Sequence, residues 1–425
     1  MMVGAIARPR ADALISRGAE ASICKRSVRM AQDGLPFEGV KVLDLSQGVA
    51  GPYCGMHLAR NGADVIKVEP TGSGCWSRQL GRPKGDHTAH SVIVNRAKRS
   101  LAVDLKTDQG VAIVQRLARD CDVFIQNYRV GKIDKFGLDY ESVEKSNPDV
   151  IYLSITGFGP KGPRFDQPAT DSVMQAYTGM MSINRGPTGI PQRIEMLAID
   201  FSTGLYAFQA VAAALYKKAT KGRGAYIETS LLECALALQE GAMMEHYLQG
   251  GAAEPIGAPV GTFKTKDGYM SVNARRDEHF RRLAKLIGKN EWLDDPRYAD
   301  ARSRVKHRDD LMAVLRPLFE TKSSDEWMEL LSGIDILKAK VNTYEDLFAD
   351  PQVQAVDAVR WIENDTLGRV PMGTICGQRP PATGDPLTHS PHLGEHTREI
   401  LGELGYGASD IERLSASGVV ACYGG

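Results

Sequence analysis

The sequence predicts an α/β protein: a doubly wound large domain assembled from both ends of the chain, with a smaller α+β domain between them. Three observations carry this. First, Val40–Leu45 (VKVLDL), a turn at Gly48, Gly51 and Pro52, an apolar helical run over Tyr53–Arg60 and Asp64–Glu69 (DVIKVE) make a βαβ unit of roughly 30 residues. Second, from Asp277 to Leu331 helical patterns follow one another with few strands. Third, short strands and helices alternate again from Thr343 to Val420, as expected of a chain returning to its first domain. A length of 425 residues also suits two domains. The expected division is an extension over 1–36, the large domain over 37–235, a linker over 236–253, the small domain over 254–340, and the large domain again over 341–425.

Composition narrows the class. Hydrophobic residues make up 43% and charged residues 24%, as in a soluble globular protein. The formal net charge is zero, so neither a nucleic acid nor an anionic membrane is an expected partner. Strongly apolar runs such as Leu205–Tyr216 are too short to span a bilayer. The seven cysteines are scattered and form no C-x-x-C pair, which fits reduced thiols in a cytoplasmic enzyme. In the first 36 residues Arg8, Arg10, Arg17, Lys25, Arg26 and Arg29 outnumber the acids. A transit peptide would read so, but Asp12 and Glu20 interrupt the basic run and favour either a disordered extension or an upstream start codon with Met30 as the real start.

The elements follow in order. The first βαβ turn is not G-x-G-x-x-G, and Pro52 removes a main-chain donor that a phosphate would use, although Glu69 stands where a ribose-binding acid would. A nicotinamide cofactor is therefore not expected. Arg96, Lys98 and Arg99 lead into a strand over Ser100–Asp104, Asp108–Ala118 is an amphipathic helix, and Val123–Gln126 is a strand running into Asn127-Tyr128-Arg129. Basic and aromatic residues leaving strand ends suit a nucleotide-phosphate ligand or, equally, a solvated face. Val150–Ser154 is a strand, followed by a Gly/Pro-rich loop over Thr156–Pro168. Asp171 precedes an apolar helix through Gln175 to Met181, and Pro187–Pro191 makes a turn.

Asp200 ends a short apolar run ahead of a buried helix over Leu205–Tyr216, closed by Lys217, Lys218, Gly222 and Gly224. At a helix start a carboxylate serves either as an N-cap or as a fixed nucleophile, and spacing leaves both open. Tyr226–Glu228 suggests a strand, Ala235–Leu248 a helix, Gly250–Gly261 a loop, and Thr262–Asn273 a hairpin turning at Asp267-Gly268. Helices are expected over Asp277–Ile287, Asp309–Thr321 and Asp325–Leu331. His389, His392 and His396 are not expected to hold a metal: Pro391 breaks the spacing, no carboxylate or cysteine lies at ligand distance in sequence, and His396 suits a helix N-terminus.

Taken in order, VLDLSQGVAGP, GADVIKVEP, NRAKRSLAVDLK, FIQNYRVGKIDKFGL, ITGFGPKGP, TDSVMQAYTG, AIDFSTGLYA, KGRGAYIETSLLE, ADPQVQA and HLGEHTREIL resemble the class III CoA-transferase family. This is the CaiB/BaiF type, which includes formyl-CoA:oxalate and carnitine CoA-transferases, and the resemblance runs from about Phe37 to Val420. It implies a Rossmann-like large domain and an intertwined homodimer. It also implies a reaction that moves CoA from an acyl-CoA donor to a carboxylic acid acceptor through aspartyl anhydride and aspartyl-CoA thioester intermediates, with no metal. Asp200 stands at the family's nucleophile. Val49 and Ala50 match its first CoA-binding loop; Val103, Asp104, Leu105 and Lys106 match the strand beside the adenine; Asn127, Tyr128 and Arg129 match the next loop, with Lys135 beyond it; and Pro168, Ala169, Thr170 and Asp171 match the segment near the thiol.

Departures from the pattern matter. Val49 replaces a glutamine of the formyl-CoA member, and Pro70 and Lys135 replace arginines, which argues against oxalate. Gly250-Gly251 is the nearest candidate for the family's glycine loop. The α-methylacyl-CoA racemases share the fold but carry a histidine where this chain has Thr170, a side chain with no useful acid–base pKa. A nicotinamide-dependent dehydrogenase is the rival from another class.

Overall fold

The computed structural model describes residues 34–185, 189–251 and 257–424. The extension before residue 34, the start of the Pro187–Pro191 turn and the middle of the Gly250–Gly261 loop lie outside the described residues.

Short apolar runs between turn residues build the main sheet. Its strands are β1 (Lys41–Asp44), β2 (Asp64–Glu69), β3 (Arg99–Val103), β4 (Val123–Gln126), β5 (Ile151–Thr156) and β6 (Ala225–Ser230). The remaining strands of the chain are β7 (Val260–Lys264), β8 (Tyr269–Asn273), β9 (Leu337–Lys340), β10 (Val359–Asn364), β11 (Gly368–Gly373) and β12 (Val420–Ala421). The main sheet runs β12-β3-β2-β1-β4-β5-β6. Its first six strands are parallel; β12 joins antiparallel, with Val420 opposite Val103, and so returns the C-terminal segment to the first domain. Strand order reverses between β1 and β4, and in such sheets ligands bind beyond the carboxyl ends of the strands at that point.

Helices cover both faces, so the central strands are buried on both sides. The helices that frame the site are α1 (Ala50–Arg60), α2 (Asp108–Ala118), α3 (Asp171–Tyr177), α4 (Ala198–Lys221) and α5 (Leu231–Leu238). Leu43, Val68 and Phe124 pack with Ile113 of α2 and with Ile400 and Leu414 on one face. Val42, Val65, Ile125 and Leu153 pack with Leu58 of α1 and Val211 of α4 on the other.

The helix expected over Ala235–Leu248 is broken at Gln239 into Leu231–Leu238 and Glu240–Leu248, and two others differ. The one through Gln175 to Met181 ends at Tyr177, because Gly179 turns left-handed (φ 81°) and a separate turn, Met180–Ile183, follows. The other is longer than Leu205–Tyr216. At 24 residues, α4 is long and apolar enough by length and composition to cross a membrane, so the argument from short apolar runs does not hold for it. Here Ile199, Ala207, Val211 and Ala214 of α4 are buried in the core beside the sheet.

The second compact unit begins after Gln239 and ends at Ala358, wider than the expected 254–340. It holds an antiparallel β7-β8-β9 sheet, whose third strand the sequence analysis missed, and helices over Asp277–Leu286, Arg308–Phe319 and Ser324–Ser332. Phe263, Phe280, Phe319 and Trp327 lie in its core.

Candidate active site

The loops after β1 and β4 are fastened to each other. Asn127 accepts from the Gln47 amide at 2.7 Å and donates to the Gln47 carbonyl at 2.7 Å. The polar end of Asn127 is thereby spent on shaping the loop. Gly48 is required by its neighbour as well as by its backbone: at φ +82°, an added Cβ would lie 2.0 Å from the Trp76 ring. Beneath this loop Asp44, at the end of β1, is fully buried with Lys67 and Lys98. Lys98 Nζ reaches Asp44 Oδ2 at 2.9 Å and also donates to the Pro52 carbonyl and Asn95. Burial alone would raise the Asp44 carboxyl, but the two lysines and Ser46 outweigh it and hold the pKa at about 2.

Above the carboxyl ends of β1, β4 and β5 lies an open cleft of about 230 Å³. The sequence-predicted Val49, Ala50, Tyr128, Arg129, Pro168, Ala169, Thr170 and Asp200 line it, as does the loop-shaping Asn127. Gln47, Trp76, Phe165, Gln167 and Leu231 line it too. The sequence analysis did not single these out as site residues, although Gln47 and Leu231 lie inside two of its motifs and Phe165 and Gln167 inside its Gly/Pro-rich loop; Trp76 carried no local signal.

Asp200 is the third residue of α4, inside its first turn, so it is not the N-cap that spacing allowed. The position before the helix is Leu197, which offers no side-chain acceptor. The cap comes from another element. Asp171 Oδ2 accepts from the Ile199 amide at 2.7 Å and the Asp200 amide at 3.1 Å. Its Oδ1 accepts from Gln175 Nε2 at 2.6 Å, and Gln175 also holds the Ile194 amide at 2.8 Å. Close packing of α4 on α1 fixes the whole start: an added Cβ at Gly204 would lie 2.7 Å from the Ala50 carbonyl. The Asp200 side chain is buried (8% exposed) yet reaches the cleft wall. Burial first, and then the charge of Asp171, push its pKa up to about 7.

Other predicted residues lie elsewhere. Val103 is a buried core residue paired with Val420, and the Asp104 carboxylate turns back to the Lys106 amide at 2.9 Å. Leu105 packs on the core, while Lys106 and Lys135 are exposed and, like Val103 and Asp104, are not among the residues lining this cleft. Asp171 is buried next to Asp200 without lining the cleft. Gly250 and Gly251 belong to the second unit.

Glu69, the ribose-acid lookalike, is engaged inside the protein: Arg78 grips both its oxygens at 2.8 Å, and Ser100 and the Cys75 amide also donate to it. The expectation that no carboxylate is set at ligand spacing with the histidines is corrected: Glu395 Oε1 lies 2.9 Å from His389 Nε2, and His392 has two carboxylates beside it. The tertiary fold sets its Nδ1 2.8 Å from Asp86 and its Nε2 3.2 Å from Asp365. Asp86, His87 and His392 bring ligand atoms within 4.8 Å of one another, but Arg78 lies 3.2 Å from Asp86 and 3.5 Å from His87 Nδ1, so a cation already occupies that corner. A larger hollow of about 540 Å³, beside β10 and β11, contains none of the predicted residues.

A family model described as CoA-transferase family III matches residues 37–397. Succinyl-CoA:glutarate CoA-transferase of Homo sapiens is 36% identical over 394 residues, covering 91% of this chain and 90% of that protein. Succinyl-CoA–D-citramalate CoA-transferase of Chloroflexus aurantiacus is 30% identical over 394 residues, covering 91% of this chain and 98% of that protein. The crystal structure of a CaiB/BaiF family protein from Brucella suis superposes with a TM-score of 0.77 at 33% identity, covering 88% of this chain and 100% of the other.

Proposed function

This chain belongs to CoA-transferase family III, and we propose that it moves CoA from an acyl-CoA thioester to a free carboxylic acid by covalent catalysis at Asp200. The observation that carries the reading is a buried carboxylate on the wall of the cleft at the sheet's switch point.

The steps trade one activated acyl group for another. The Asp200 carboxylate attacks the donor thioester carbonyl; the C–S bond breaks, CoA leaves as thiolate, and a mixed anhydride remains. The thiolate attacks the aspartyl carbonyl, releases the donor acid as carboxylate and leaves an aspartyl-CoA thioester. The acceptor carboxylate attacks that thioester and expels the thiolate, giving a second anhydride. The thiolate then attacks the acceptor carbonyl, and Asp200 departs as carboxylate. Acyl activation is kept throughout, so the cleft has to exclude water. Tyr128, Arg129 and the first-turn residues of α1 bind the CoA moiety in this reading, and Asn127 acts by holding Gln47. The substrates of the relatives make short dicarboxylates, with succinyl-CoA as donor, the first acids to test.

The chain also works as an obligate dimer in this reading. The exposed apolar side chains of Val173, Tyr177, Ile183, Met196 and Leu205 support that: they stand on adjoining elements, α3, the turn after it and the start of α4, and adjoining exposed apolar side chains mark interaction surfaces. An active monomer in sedimentation at micromolar concentration would refute it. For the chemistry, hydroxylamine trapping during turnover followed by peptide mass spectrometry should label the Asp200 peptide. Labelling of Asp171 instead, or loss of α-deuterium from a branched acyl-CoA without any acceptor acid, would overturn the assignment.

A further inference from the structure

Asp171 is carried by the sequence pattern into the ligand-contacting segment, and the structure gives it different work. Thr170, just before it, lines the cleft; the Asp171 carboxylate turns inward and is buried (3% exposed). Both its oxygens are spent within the protein. One receives the second and third amides of α4, those of Ile199 and Asp200, and the other receives Gln175. Gln175 is itself locked: its oxygen takes the Ile194 amide at 2.8 Å and its nitrogen lies 3.2 Å from the Ile194 carbonyl. A helix of 24 residues that carries no cap of its own is thus capped by a carboxylate from a different helix, bonded to the main chain of the very residue whose side chain faces the cleft.

We infer that Asp171 is a positioning residue for Asp200: through the Ile199 and Asp200 amides it fixes the main chain of Asp200 at the start of α4, as a second buried carboxylate at the same helix end. The inference rests on the assignment of Asp200 as the reacting group. The arrangement has a chemical use. A carboxylate beside another carboxylate holds its proton more tightly, and a carboxylate of higher pKa is a stronger nucleophile once ionised, so the pair makes Asp200 scarcer as an anion but more reactive. The elements packed around Asp200 bring other titratable groups. Tyr53 and His57 come from α1, Glu233 and Cys234 from α5, and Arg193 and Glu195 from the preceding segment, where they pair with each other at 2.7 Å. Among the described residues, Asp171 is the charge that moves Asp200.

The test uses the full-length enzyme without substrate. Carbodiimide reacts with protonated carboxyls, so the pH dependence of labelling of the Asp200 peptide, followed by mass spectrometry, reads the Asp200 titration directly. Asp171→Asn keeps an acceptor oxygen for the two amides and removes the charge. It should move the labelling midpoint, and the acid limb of kcat/KM with it, down by about one pH unit. Asp171→Glu keeps the charge and displaces it; the midpoint should stay within a few tenths of a unit of wild type while kcat falls. A midpoint unmoved in a folded Asp171→Asn variant overturns the inference. If Asp171→Asn does not fold, a midpoint shifted as far in Asp171→Glu as the loss of the charge would require overturns it equally. A shifted midpoint together with an active Asp200→Asn variant would leave the coupling standing and remove the nucleophile assignment, so the two failures are distinguishable.

Discussion

Asp44 and Asp200 are both aspartates buried in the large unit, one at the end of β1 and one in the first turn of α4, and their surroundings drive them in opposite directions. Asp44 lies between Lys67 and Lys98, and its carboxyl is held near 2 although burial opposes that. Among the described residues no cation stands against Asp200; burial and Asp171 lift it to about 7. The first carboxylate is neutralised and tied into the fold, so it has nothing left to offer a ligand. The second, though buried, lies on the cleft wall and has no cationic partner among the described residues, an arrangement of the kind found at reacting groups. Burial of an acid therefore says little until its neighbours are counted.

The same substitution at the two positions separates them. Asp200→Asn should remove the covalent route and lower CoA transfer by at least about four orders of magnitude, read in a coupled acyl-CoA assay, because the amide cannot form the anhydride. Asp44→Asn should leave two lysines buried without a counter-charge and cost about 3–5 kcal/mol of stability. Chemical denaturation would detect this as a lower midpoint with an unchanged slope. Equal transfer losses in both variants at full occupancy of the folded state would erase the distinction drawn between the two sites.

Stability should also change with opposite sign. The Asp44 contribution is present above its unfolded pKa of 3.8 and is lost only as pH falls through about 2, so it is constant over the usual range. For Asp200 the folded pKa is raised: its contribution is fully present below 3.8 and is lost as pH rises through about 7. Asp200→Asn, which mimics the protonated form, should therefore melt higher than wild type at pH 8, by the equivalent of about 2–4 kcal/mol, and nearly with it at pH 4.5. Had Asp200 been the N-cap, its loss would have cost stability instead. A lower melting point at pH 8 would contradict the buried, uncompensated carboxylate described here.

Much of the fold was legible, for local reasons. Asp64–Glu69, Val123–Gln126 and Asp108–Ala118 are short runs whose apolar period and flanking turn residues set their ends, and the structure keeps those ends. The start of α4 was not legible, because its cap is Asp171, 29 positions before Asp200 in sequence, rather than a neighbour. The strand β9 (LKAK) is too short and polar to announce itself. In the cleft, Asp200, Tyr128 and Arg129 lay inside recognisable motifs, whereas Trp76 starts a short 3-10 turn and Phe165 sits in a loop, where only the tertiary fold says which way a ring faces. His392 gained its two carboxylates the same way, from Asp86 and Asp365, hundreds of residues away in one case and outside any spacing rule in the other.

Tyr128 offers the smallest expected effect and the finest test of the boundary between scaffold and site. It stands between the two carboxylates in character. Its ring lines the cleft, yet it packs edge-on against Phe136 at 6.2 Å between centroids. Burial raises its pKa, and Lys67 of the Asp44 network opposes that shift, which places the phenol within reach of the scaffold's charge. If the ring works mainly for the ligand, Tyr128→Ala should raise the KM for acyl-CoA about tenfold, equivalent to about 1.4 kcal/mol, with kcat nearly unchanged. Tyr128→Phe keeps the ring and its packing, so its KM should stay within about twofold of wild type. A fall in kcat at constant KM in the alanine variant would assign Tyr128 to the architecture around Asp44 and Asn127. A rise in the phenylalanine variant's KM as large as the alanine variant's would instead make the hydroxyl, not the ring, the group that meets the ligand.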